Sequence, residues 1–359
     1  MITNYIIGQT LIISRVKHES PARRVSACKL FMVFCDVSQL DSSIYRVDWI
    51  RQLVSLLDDE ETRVHTAACE AFDCFVKSIP KNELEPLVVP LRRTIESTGA
   101  PGRTVPGFNL PKGVSSAVPI IIAGLTTGNN DQREQAAYAI GDLVERTNQT
   151  SIKPFVVPFT GPLIRVATQA TSYPAGVKMA ILTALGKMLE YIPPFVKPFF
   201  PQLQRTFVKS ISDPSSGAVR RKAAEVLGVL MRNQPRVDPV VTELITGARG
   251  SEDSVSTSYI HALANVVRNA SQNVGDKAWE SCIEIVSEAF RDAHSGMLII
   301  ICAFDRFLVL NHRELLRGNW FPFQILVQKG RLAEVDRGVS EQIISRLSRH
   351  RTDSIGHIL

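Results

Sequence analysis

Residues 196–231 read VKPFFPQLQRTFVKSISDPSSGAVRRKAAEVLGVLM, two helical patterns separated by a polar break around Asp213. The first opens on prolines and continues with apolar residues at helical spacing, an order suited to a helix start because the first turn has no use for its own N–H groups. The second opens on Arg220, Arg221 and Lys222 and continues through Ala223 and Ala224 to Leu227 and Leu230. Small residues there allow another helix to approach closely, and the leucines fill the layer between. One such pair has no core of its own, so the stretch predicts a chain in which many pairs stack.

Working outward, the second pattern recurs as TRVHTAACEAFDCFV from Thr62, QREQAAYAIGDLV from Gln132 and VKMAILTALGKML from Val177. The apolar residue closing its first two turns falls at Phe31, Phe72, Ile140, Leu185, Leu227 and Leu263, spaced by 41, 68, 45, 42 and 36 residues. The first pattern recurs as LEPLVVPLRRTI from Leu84 and IKPFVVPFTGPLIRV from Ile152, and prolines inside these helices are expected to kink them. Most of these spacings lie in or near the roughly 40–47 residues of HEAT and armadillo units. The 68-residue gap is attributed to an inserted loop, GAPGRTVPGFNLPKG at 99–113, whose prolines and glycines forbid regular helix. The predicted fold is an all-α, HEAT/armadillo-like α-solenoid of stacked helix pairs with one long loop insertion. Its array is expected over 1–294 with about six to seven helix pairs, and an atypical helical tail or cap over 295–359.

Composition excludes several classes. With 45% hydrophobic and 21% charged residues the chain has the balance of a folded protein. Six cysteines (Cys28, Cys35, Cys69, Cys74, Cys282, Cys302) sit in apolar helical patterns with no metal-ligand spacing, and are expected as reduced, buried thiols. The seven histidines stand apart from any HExxH or nucleophile arrangement, and GAPGRTVPG lacks the GK[ST] ending of a phosphate loop. No enzymatic role, metal or cofactor is expected. The longest apolar run, 297–304, falls far short of the roughly 20 residues a membrane span requires, and no secretory leader opens the sequence; a cytoplasmic protein without membrane contact is expected.

Charge marks the candidate surface. The net charge of +6 is matched by an excess of six between Tyr191 and Arg236, where Lys197, Arg205, Lys209, Arg220, Arg221, Lys222, Arg232 and Arg236 face only Asp213 and Glu225. Arg205 and Lys209 lie one helical turn apart, and Arg220, Arg221 and Lys222 crowd a helix start, where cations oppose the macrodipole. A HEAT repeat carries an aspartate in its turn and an arginine early in its second helix, so Asp213 with one of Arg220 or Arg221 fits an inter-repeat ladder. The remaining cations, Arg205, Lys209, Lys222 and the second arginine, are predicted to bind an acidic partner. Arg103, Phe108 and Lys112 of the inserted loop form a second candidate set, against the alternative that Phe108 only staples the loop to its own repeat.

Four phrases carry a resemblance: ESTGAPGRTVPGFNLPKG (96–113), KPFVVPFTGPLIRV (153–166), KPFFPQLQRTFVKSISD (197–213) and QPRVDPVVTELITGARG (234–250). With them the chain resembles a segment of the general control non-derepressible 1 translational activator family, very large HEAT-repeat proteins. The resemblance implies an adaptor on ribosomes, beside an ATP-binding-cassette partner, that activates the kinase of initiation factor 2 alpha in amino-acid starvation. It further implies that this region docks the kinase's N-terminal RWD domain, with Arg205, Arg220 and Arg221 expected to meet acidic residues there. Residues alone support a basic helical scaffold, including the alternative of a ribosome- or ribonucleoprotein-binding solenoid without a kinase role; sequence-specific nucleic-acid binding is not expected.

Overall fold

The repeated alanine-rich phrase becomes a long helix at each of its copies. The computed structural model describes residues 16–37, 43–100, 102–169 and 173–292, and among them every regular element is helical. The chain divides into two units, 1–233 and 234–359. In the first, the alanine-rich copies are α1 (Pro21–Val37), α3 (Thr62–Lys77), α6 (Asn130–Arg146), α8 (Ala175–Tyr191) and α10 (Gly217–Arg232), interleaved with α2 (Arg46–Leu56), α4 (Val88–Ser97), α5 (Ala117–Thr126), α7 (Val156–Thr168) and α9 (Phe200–Ile211). Like packs on like: α1 on α3, α6 on α8 and α8 on α10 form one row, α2 on α4 and α7 on α9 the other. The fold is an all-α solenoid of stacked helix pairs. Its core is the face the periodicity marked, since Ala136, Ala137, Ala223, Ala224, Leu185, Leu189, Leu227 and Leu230 are fully buried. Each buried leucine contributes roughly 1.5–3 kcal/mol, which a lone pair of helices has no surface to supply.

The second unit is described to residue 292 and holds α11 (Asp238–Arg249), α12 (Asp253–Ala270) and α13 (Asp276–Asp292). α11 packs on both others, with Trp279 and Cys282 buried, and Arg249 reaches Glu284 at 3.2 Å and Glu288 at 2.9 Å. Gly275 N donates to Asp238 Oδ1 at 2.9 Å, fixing the entry to α13. The tail expected over 295–359, with Cys302, lies outside the described residues.

Two expectations change. The prolines start helices more than they kink them: Pro86, Pro154 and Pro198 sit in one-turn 3-10 segments (Glu85–Leu87, Lys153–Phe155, Lys197–Phe199), and Pro90, Pro158 and Pro201 in the first turns of α4, α7 and α9. First-turn N–H groups lack intrahelical acceptors, so proline costs nothing there; Pro162, deeper in α7, is the exception. The 68-residue gap, in turn, holds a helix as well as the loop, because α5 stands between the loop and α6 and packs on α6. Among the described cysteines none is bridged, and Cys28, Cys69 and Cys282 are buried, whereas Cys35 and Cys74 are half-buried. Burial pushes the Cys28 and Cys282 thiols up to about 12.

The loop is stitched to elements on both of its sides. Gly99 and Gly102, with φ of +81° and +76°, turn the chain out of α4 through a conformation that side chains disfavour. Gly107 N then donates to Leu57 O at 2.7 Å and Val105 N to Arg146 O at 2.8 Å. Asn109 accepts from Asn148 N at 2.7 Å and from Ser151 Oγ at 2.8 Å.

Gly161, midway along α7, has nothing within 4 Å of where a Cβ would stand. Gly161→Ala is therefore expected to stabilise the protein by about 0.5–1 kcal/mol through helix propensity alone. A rise in the thermal midpoint checks this, and a fall would show that the helix needs the glycine.

Candidate partner-binding surface

The turn between α9 and α10 organises the basic residues. α9 turns Phe200, Leu203, Phe207 and Ile211 inward, which leaves Arg205 and Lys209 exposed on its outer face. Pro214 prevents helical continuation after Asp213, and Ser216 caps α10 by accepting from Val219 N at 3.4 Å. Within the turn, Asp213 Oδ1 accepts from Ser215 N at 2.9 Å and from Ser215 Oγ at 2.5 Å.

Asp213 Oδ2 lies 2.6 Å from Lys178 Nζ of α8, and both side chains are buried, with 5% and 8% of their surface exposed. Burial pushes the Asp213 carboxyl up, but the hydrogen bonds from Lys178 and Ser215 outweigh it and hold the group below the usual carboxylate range. The expected ladder partner, Arg220 or Arg221, is thus corrected. The carboxylate is held from the preceding repeat by Lys178, and Arg220 bonds the Asp213 main-chain carbonyl at 2.9 Å.

The sequence held a signal for this. Lys178 stands seven residues before Leu185, as Arg24 does before Phe31 and Arg220 before Leu227. Arg24 repeats the arrangement one end of the unit away, binding Asp59 in the α2–α3 turn at 2.8 Å. At the same register His65 and Arg133 bond main-chain carbonyls of their own turns, Asp59 O at 3.0 Å and Thr126 O at 3.1 Å. The cations at this one register, Arg24, Arg133, Lys178 and Arg220, are ties, which offsets their opposition to the macrodipole.

The five predicted ridge residues therefore separate. Arg220 is half-buried and tied, and Lys222 is half-exposed and reaches Glu225 at 3.1 Å. Arg205, Lys209 and Arg221 are exposed and make no ion pair among the described residues. The loop candidates separate as well. Arg103 is half exposed but makes both hydrogen bonds to Asp58, at 2.7 and 2.8 Å. Phe108 is only 1% exposed, so its role is corrected from partner contact to anchor; Lys112 is exposed. The loop bonds to earlier repeats than α9 and α10, at Leu57, Asp58, Arg146 and Asn148.

Among the described residues no cluster of three or more His, Cys, Asp or Glu is placed to hold a metal ion, and no single helix is long and apolar enough to cross a membrane. What the geometry offers is charge on a rigid helical surface.

A family model described as "Stalled ribosome sensor GCN1-like, HEAT repeats" matches residues 5–112. The chain is 35% identical over 348 residues to the eIF-2-alpha kinase activator GCN1 of Saccharomyces cerevisiae, covering 97% of this chain and 13% of that protein. It is 32% identical over 292 residues to the stalled ribosome sensor GCN1 of Homo sapiens, covering 78% and 11%. It is 34% identical over 291 residues to the eIF-2-alpha kinase activator GCN1 of Dictyostelium discoideum, covering 79% and 11%. The chain thus spans between 11% and 13% of the length of these relatives.

Proposed function

Because the chain belongs to the GCN1 family of HEAT-repeat proteins, we propose that it is a non-catalytic scaffold that binds the RWD domain of the initiation factor 2 alpha kinase and promotes its activation. The setting proposed is the cytoplasmic ribosome in amino-acid starvation, where an ATP-binding-cassette protein is a further partner. The kinase role rests on the relatives named as eIF-2-alpha kinase activators, and the ribosomal setting on those named as stalled ribosome sensors.

One observation carries the choice of surface. Arg205, Lys209 and Arg221 are exposed without carboxylate partners among the described residues, while the turn between their helices is pinned by Lys178 and Asp213. A rigid display of unpaired arginine and lysine lowers the ordering cost of meeting carboxylates, for which the guanidinium fork is suited.

The test is binding of the purified RWD domain to this chain and to a variant with Arg205, Lys209 and Arg221 all changed to Glu, helicity being checked by circular dichroism. Arg220 is left in place because it ties the turn. At least a tenfold weaker affinity with helicity unchanged is expected, and an unchanged affinity rejects this surface. The second reading, a ribosome- or ribonucleoprotein-binding solenoid without a kinase role, is favoured by the basic excess alone. It predicts affinity for ribosomal RNA that falls steeply with salt as counterions are released, where a compact arginine–carboxylate interface loses less.

A further inference from the structure

Exposed cations continue beyond α9 and α10 onto α7. The 3-10 segments ahead of α7 and α9 both read Lys-Pro-Phe, at Lys153–Phe155 and Lys197–Phe199. Counting from those lysines 44 residues apart, the next helical positions coincide: Val157 with Pro201, and Arg165 with Lys209. α7 and α9 pack side by side. Each therefore presents a cation at its start, an apolar residue one turn in and a cation near its end, about 18 Å from the first, on neighbouring helices about 10 Å apart. All six of these residues are exposed, Val157 to 65%.

Three observations separate this face from an ordinary solvated one. Between Arg146 and Asp213 the sequence has a single acidic residue, Glu190, and it lies outside α7 and α9. None of Arg165, Lys197, Arg205 and Lys209 makes an ion pair among the described residues, and Lys153 is held over the Phe195 ring at 5.4 Å. The pattern is not a requirement of stacking, because α4, in the same row type, has Glu85 where α7 and α9 follow a lysine, and its Arg92 pairs with Glu96 at 2.7 Å.

We infer that the outward face of α7 and α9 docks an acidic protein surface that places an apolar side chain against Val157 and Pro201, with Lys153, Arg165, Lys197 and Lys209 meeting carboxylates around it. An apolar centre inside a charged rim is the anatomy of a protein interface. A phosphate backbone would be met by the cations alone and would leave Val157 without a counterpart. This inference rests on the kinase-docking reading for the identity of the partner, and adds α7 to its surface.

The experiment measures binding of the full chain to three probes: the RWD domain, a synthetic Asp/Glu-rich peptide containing one leucine, and an RNA duplex of mixed sequence. The variants are R165E/K197E, V157D and, as a control elsewhere, K81E, each checked for wild-type helicity. Expected are a tenfold or greater loss of RWD and peptide affinity in R165E/K197E, a threefold or greater loss in V157D, and no change in K81E. If the wild type binds the RWD domain and both test variants bind it equally well, the inference is overturned and the kinase reading stands. If the RWD domain fails to bind but the peptide binds in a manner dependent on Arg165, Lys197 and Val157, the kinase reading fails and this inference holds. Binding of the RNA alone, or of none of the probes, overturns the inference.

Discussion

Asp213→Ala is expected to destabilise the first unit by about 3–5 kcal/mol, the cost of leaving one partner of a buried ion pair alone. Lys178 Nζ, 2.6 Å from the lost carboxylate and 3.1 Å from Ser215 Oγ, would keep only the hydroxyl as a partner. The turn would also lose the acceptor for Ser215 N and Oγ. Chemical denaturation read by circular dichroism measures the effect, and a loss below about 1 kcal/mol would mean that water reaches Lys178 and the pair behaves as a surface one. Asp213→Asn, which keeps the shape and removes the charge, should fall between. The same pair sets an acid limit. Because the folded-state pKa of Asp213 is lowered, its contribution is complete above the unfolded value near 3.9 and is lost as the pH falls through the folded one. The wild type should therefore lose stability below about pH 4 more steeply than Asp213→Asn.

The second large effect is expected in the inserted loop. A Cβ on Gly113 would lie 2.0 Å from Gly107 O and 2.8 Å from Phe108 Cα, and one on Gly107 would lie 2.7 Å from Leu57 Cβ and 2.8 Å from Leu57 Cα. Three of these four obstacles are backbone atoms and the fourth is a Cβ, so relief requires the loop to refold around Gly113 in the first case and to lift away from Leu57 in the second. Gly113→Ala and Gly107→Ala should each cost about 2–3 kcal/mol, the upper range for overpacking, with Gly113→Ala the larger. If Gly113→Ala has the stability of wild type by denaturant midpoint, the loop is not folded on itself as described, and if Gly107→Ala does, it is not held against Leu57. Lys112→Ala, one residue away and exposed, should change stability by less than about 0.5 kcal/mol.

The helices were legible in the sequence because alanine and leucine at helical spacing have one physical use here, a buried face between stacked helices. Phe31, Phe72, Leu185 and Leu227, picked out by spacing alone, are all buried. Side chains whose partners lie a repeat away were less legible. Lys178 was passed over because its partner Asp213 is 35 residues distant and because the ladder was sought in arginine. The seven-residue register with Arg24 and Arg220 would have found it. Phe108 was ambiguous because an aromatic in a long loop serves equally to hold the loop down or to meet a partner, and only the burial decides. α5 lies just beyond the inserted loop at 99–113 and is not marked by the repeat pattern, since its run of isoleucines, Ile120–Ile121–Ile122, hides an amphipathic stripe. The charge window opened at Tyr191 and so missed Lys153 and Arg165, whose membership depends on α7 lying beside α9.

A stack of helix pairs that touch only their neighbours behaves as a spring with one compliant joint per repeat. The inserted loop alters that mechanics locally. It hangs by Gly107 from Leu57 at the end of α2 and by Val105 from Arg146 at the end of α6, with Asn109 fastened to Asn148 and Ser151 beyond. Opening the joint between those helices requires breaking these bonds together, so under tension or torsion this stretch moves as one block and the deformation passes to the joints after it. Those joints carry the face of α7 and α9, so a partner that pulls on that face bends the array there and leaves the braced stretch unchanged.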